Sequence, residues 1–167
     1  GVIATPDVAA LSQLVVDAQA NWARSVALLA QSKPGESMAA LEQADTYIAV
    51  LKAEPIDQQQ VAWLISRVER QRARLLAREN KFVPALASLD LAVTSLEGAN
   101  TEAATFGPTL AETRLERAAM ASRAGQPKTM VMAEFDKTID ALQQRAQREP
   151  NNPEAYYTIA TYYWDKA

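Results

Sequence analysis

The sequence predicts an all-helical protein, arranged as a right-handed α-solenoid of antiparallel helical hairpins. Apolar residues recur at spacings of three and four along the 167 residues, the period of a helix face and not the alternation of a strand. Glycine is scarce, proline falls between the apolar runs, and no Asn-Gly or Asp-Gly pair marks a β-hairpin. Turns within hairpins are expected near Gly35, Asn80 and Gly125, an interval of 45 residues each time, as a stack of like units would show.

The first helix opens at Thr5-Pro6-Asp7, with a hydroxyl cap, proline at the first position and an acid in the first turn. Val8, Leu11, Val15, Ala18, Trp22, Val26 and Leu29 then form one stripe, about seven turns long and ending near Gln31. Lys33-Pro34-Gly35-Glu36 reads as the turn. Met38, Leu41, Ala44, Ile48 and Leu51 line the second helix, which Glu54-Pro55 stops.

Asp57 caps the third helix, whose apolar face holds Val61, Leu64, Ile65, Val68, Leu75 and Leu76. After Asn80-Lys81, the residues Phe82, Leu86, Leu89, Val93 and Leu96 line a fourth helix with Gly98 at its C-terminal cap. In the stretch 100–109, Asn100 is a candidate cap for a short helix that Gly107-Pro108 would break or kink. The fifth helix is rich in small residues (Ala111, Ala118, Ala119, Ser122), beside Leu115. Beyond the turn at Ala124-Gly125-Gln126-Pro127, Val131, Phe135, Ile139, Leu142 and Ala146 line the sixth. Asn152 caps a seventh that starts at Pro153. The expected hairpins are 6–53, 57–97 and 101–148, followed by a half-hairpin at 153–167, in one repeat domain.

The segment after that cap, Tyr156-x2-Ile159-Ala160-x2-Tyr163, resembles the tetratricopeptide (TPR) pattern Trp-x2-Leu-Gly-x2-Tyr, and the Pro-Asn-Asn-Pro-Glu-Ala-Tyr-Tyr seam resembles bacterial members. A second fragment lies in the second hairpin: Ala73 stands at the family's small position, and Ala85-x3-Leu89 is similar to its Ala-x3-Phe. Glu69 and Arg72 occupy positions where the family has Trp and Leu. The 45-residue period exceeds the family's roughly 34 residues, so longer helices are expected. The resemblance implies a binding groove lined by the first helix of each hairpin.

Composition removes several function classes. The chain has no cysteine and no histidine, which excludes disulfides, Cys/His zinc sites, thiolate nucleophiles and His-based triads. A net charge of −3 argues against a nucleic-acid binder, which needs a net basic face. No apolar run reaches membrane-span length, and the N-terminus lacks a basic stretch followed by an apolar one. Two locations stay open: cytoplasmic or, with a targeting segment removed and Gly1 as remnant, periplasmic or exported. Asp45, Asp90, Asp136 and Asp140 read as solvated carboxylates. An enzyme is therefore not expected.

The sharpest polar feature is on the third helix. Trp63, Arg67, Arg70, Arg74 and Arg78 fall within a sector of about 80°, roughly opposite Val61, Leu64, Val68 and Leu75. Ala62, Ser66, Ala73 and Ala77 make a third, small-residue face. A helix so patterned packs on two sides and offers the third. Aligned through Ala73, the arginines fall on the positions that the family resemblance implies line the groove, where guanidinium forks suit a peptide's carboxylates. The competing reading is a solvated face neutralised by the chain's own acids, Glu69 among them. Arg72 lies on the apolar side and reads as snorkelling or ion-paired.

At TPR spacing Tyr156 and Tyr163 are expected in the core, while Tyr157, Thr161 and Trp164 face the groove; the aromatic cluster would otherwise suit base stacking. The chain ends at Ala167 within a hairpin, so a fragment of a longer protein is expected, able to self-associate through an open C-terminal end. The leading expectation is a scaffold that binds a peptide or protein partner on its concave face; the alternative is a regulatory or sensor repeat domain of a larger multidomain effector.

Overall fold

A computed structural model describes residues 7–99 and 106–166. Among them are seven helices and no strands: α1 (Val8–Ala30), α2 (Pro34–Ala53), α3 (Gln58–Arg78), α4 (Phe82–Glu97), α5 (Phe106–Arg123), α6 (Lys128–Arg148) and α7 (Pro153–Lys166). None is long and apolar enough to cross a membrane. The chain divides into two compact units, residues 1–99 and 100–167.

In the first unit, α1 packs on α2, α3 on α4, and α3 also touches both α1 and α2. Val15, Ala18, Leu41, Ala44, Ile48, Leu51, Val61, Leu64, Val68 and Leu75 form its buried core. Val8 is exposed, and in the C-terminal half of α1 the expected stripe is shifted back by one residue: Val26 is exposed, and Ser25 and Leu28 are buried instead. The reason is a polar seal between α1 and α2. Ser37 Oγ donates to Ser25 O (2.7 Å) and stands 2.8 Å from Ser25 Oγ. With its single proton already engaged, Ser37 accepts from Ser25 there. Two small hydroxyl residues that satisfy each other let the helices approach closely, and a valine would hold them apart.

The helix ends follow local chemistry. The first cap is Asp7 and not the expected Thr5, which lies outside the described residues: the Asp7 carboxylate accepts from the amides of Ala9 and Ala10. Asp57 caps α3 by accepting from Gln59 N, and Asn152 caps α7 by accepting from Glu154 N, as the sequence predicts.

The first turn needs correction. Gly35 sits inside the first turn of α2, behind Pro34, and the reversal occurs at Ser32, with φ of 60°. The hairpin turns therefore centre on Ser32, Asn80 and Gly125, at intervals of 48 and 45 residues (80 − 32 and 125 − 80). Each closes alike: the residue at positive φ donates to the carbonyl three back, and the next residue to the carbonyl five back, the Schellman arrangement.

In the second unit α5 packs on α6, and α7 touches both. Gly107-Pro108 lies in the first turn of α5, where the missing proline N–H has no partner to lose; the short helix expected before it lies outside the described residues. The expected cap at Asn100 lies outside the described residues. Leu110, Ala111, Ala118, Met120 and Ala121 of α5 and Val131, Ile139, Leu142 and Ala146 of α6 are buried, and Arg117 Nη1 pairs with Glu134 Oε1 at 2.7 Å. At the α6–α7 seam the Asn152 amide, with Arg145 behind it, holds the Glu149 carboxyl below its ordinary range.

Candidate functional site

Helix α3 buries two of its three faces. Val61, Leu64, Val68 and Leu75 are buried, and so are Ala62, Ser66, Ala73 and Ala77. What remains is the expected row: Trp63, Arg67 and Arg70 are partly exposed, and Arg74 and Arg78 are exposed. Helical spacing placed these side chains on one side, and burial of the other two left that side outward.

The structure adds a member from another helix. The Arg67 guanidinium lies 4.6 Å from the ring centre of Trp22 on α1 and 4.8 Å from that of Trp63. Indole faces attract a cation that has given up water. Partial burial, reinforced by the charge of Arg70, lowers the Arg67 pKa from its ordinary value. Among the described residues no carboxylate forms an ion pair with Arg67. The site thus holds a partly desolvated cation in place by two aromatic faces, with no ion pair among the described residues. Trp22 was legible only as a member of the α1 stripe, because its partner stands forty-five positions further along the chain (67 − 22).

The rest of the row divides by what each arginine does. Arg78 Nη1 donates to Leu29 O at 3.3 Å, so it ties α3 to the C-terminal end of α1, where a cation is favoured by the helix dipole. Arg70 and Arg74 have interactions of their own. Neither is the partner of Glu69, which is taken by Arg72. That residue is an ion-paired structural arginine: its Nη2 meets Asp45 Oδ2 at 2.5 Å, its Nε stands 3.3 Å from Glu69 Oε2, and its Nη1 approaches Met38 Sδ at 3.7 Å. Asp45 is therefore bound into the α2–α3 contact and is not merely solvated.

Burial raises the Glu69 pKa, and Arg72 and a hydrogen bond with Ser88 of α4 act against that rise. Its Oε2 is buried without an aligned donor, as is Nε2 of the neighbouring Gln71 without an acceptor.

Tyr156 and Tyr163 are half exposed, at 49% and 50%, against the expectation of burial. The Tyr156 hydroxyl donates to Ala146 O at 3.2 Å, so the phenol lies along the end of α6 with one edge in water, as its amphipathic ring allows. Tyr157 is 73% exposed. The side chain of Trp164 lies outside the described residues. Among those residues no three carboxylates gather to hold a metal ion.

Comparison with protein families, curated proteins and solved structures finds no match.

Proposed function

We propose that the chain is a protein-interaction module, a right-handed solenoid of TPR-like hairpins that binds an acidic peptide or partner tail against the α1/α3 face and performs no catalysis. The observation that carries this reading is the Trp22–Arg67–Trp63 cluster. A cation partly removed from water raises the free energy of the free protein unless an anion offsets it. Here no described carboxylate does so, while the two indoles hold the guanidinium where a ligand oxygen can reach its in-plane N–H groups. The packing of α3 on both α1 and α2 supports the stacked-hairpin reading, because it sets the first helices of two hairpins side by side.

Binding of the full chain to a library of acidic and neutral peptides, followed by intrinsic tryptophan fluorescence, tests the proposal. Acidic peptides are expected to bind, and Arg67→Ala is expected to weaken them by roughly 1.5–3 kcal/mol, the worth of a hydrogen bond to a charged group. Neutral peptides should bind no better than to the variant. A library with no acidic binder, or acidic binding that Arg67→Ala leaves intact, would end it.

A further inference from the structure

Along the same face, toward the N-terminal ends of α1 and α3, lies a groove of about 460 Å³. Its apolar lining comes from Val8, Leu11, Val15 and Val16 of α1 and from Pro55 and Ile56 of the α2–α3 connection. Val8 and Val16 are 72% and 54% exposed there.

The register of the two helices links this groove to Arg67. Gln19 and Gln60 mark its inner end, and one turn further along each helix stand Trp22 and Trp63, which hold the guanidinium. Further still, Leu29 meets Arg78. The helices run side by side in the same direction, and the groove ends one helical turn short of the aromatic pair that holds the cation. From Val15, at the middle of the groove, to Trp22 is seven residues, about 10 Å at 1.5 Å per residue. A peptide extended in the polyproline II conformation covers that distance in about three residues at roughly 3.1 Å each, and its three residues per turn bring residues three apart to one side.

Resting on the peptide-binding reading above, we infer that the ligand is an extended segment with two anchors three residues apart: a bulky apolar side chain in the groove and a carboxylate on Arg67. Charge sets which anchor goes where. Asp57 lines the groove, so an acid placed there meets a like charge, whereas Arg67 beside Arg70 draws it to the other end. The apolar anchor supplies affinity by leaving water, and the ion contact supplies register.

Synthetic peptides of one composition, with a leucine and a glutamate separated by one, three or five positions in a Ser/Gly background, are titrated against the full chain and read by tryptophan fluorescence and calorimetry. The three-residue spacing is expected to bind at least tenfold more tightly than the other two. Val16→Glu, at an exposed position, should abolish that preference while acidic peptides still bind through Arg67, and Arg67→Gln should abolish the dependence on glutamate. Acidic peptides that bind through Arg67 with no preference for spacing, and that ignore Val16→Glu, overturn this inference and leave the peptide-binding reading standing. Absence of any Arg67-dependent binding overturns both. Self-association in sedimentation that Val16→Glu removes, with no peptide bound, assigns the groove to a second copy of the chain and overturns the two-anchor ligand.

Discussion

Glu69 shows how one residue links folding to pH. Its side chain is 13% exposed, and burial raises its pKa, opposed by the charge of Arg72 and by the Ser88 hydroxyl, with Asp45 adding to the rise. A carboxyl that titrates higher when folded than when unfolded binds more protons in the folded state between the two values. Stability from this group therefore grows as the pH falls through the folded value, and the gain is complete below the ordinary value for an unfolded glutamate. Glu69→Gln removes the titration and keeps the shape. On going from about pH 7 to about pH 4.5, the unfolding free energy of the wild type should rise relative to that of Glu69→Gln. Urea melts of both proteins across that range provide the measurement, and a pH-independent difference would contradict it.

At the scale of the element, the three hairpin turns use one backbone solution with three different residues at positive φ: Ser32 at 60°, Asn80 at 60° and Gly125 at 82°. Only glycine takes that conformation without a Cβ penalty. Nothing lies within 4 Å of a Cβ built on Gly125, so Gly125→Val should cost through conformation alone, roughly 1–2 kcal/mol. Ser32→Gly should act the other way, with a gain of roughly 0.5–1 kcal/mol after the added freedom of the unfolded chain is subtracted. Thermal melts of the two variants are expected to move in opposite directions; a shift of the same sign would mean that the turns are not held by their central dihedral. The turns also show what was legible in the sequence. Gly125 and Asn80 advertise positive φ, and Asp57 and Asn152 advertise their caps, because those signals are local. Ser32 carries no such signal, and Gly35 next to Pro34 imitated one, although Pro34 marks a helix start. The row on α3 was readable from the helical period, whereas Trp22 and the Ser25–Ser37 seal depend on how two helices meet, which a period along one helix does not encode.

On the scale of the whole molecule, the division into units of residues 1–99 and 100–167 makes a claim about cooperativity. In the first unit α3 packs against each of the other three helices, and its apolar residues Val61, Leu64, Val68 and Leu75 share one cluster with residues of α1 and α2. The Arg72–Asp45 pair and the Arg78–Leu29 hydrogen bond add polar ties from α3 to α2 and to α1. A set of helices that buries its own apolar faces in this way has what a domain needs to fold alone. A polypeptide of residues 1–99 is accordingly expected to be helical and to melt in one cooperative transition. It retains Trp22 and Trp63 and lacks Trp164, so its fluorescence reports the Arg67 cluster directly, and the fluorescence and circular-dichroism melts should coincide. Fluorescence lost well before helicity would show that α1 and α3 part at the cluster while the hairpins persist. A non-cooperative melt would show that the first unit needs residues 100–167 to hold its core.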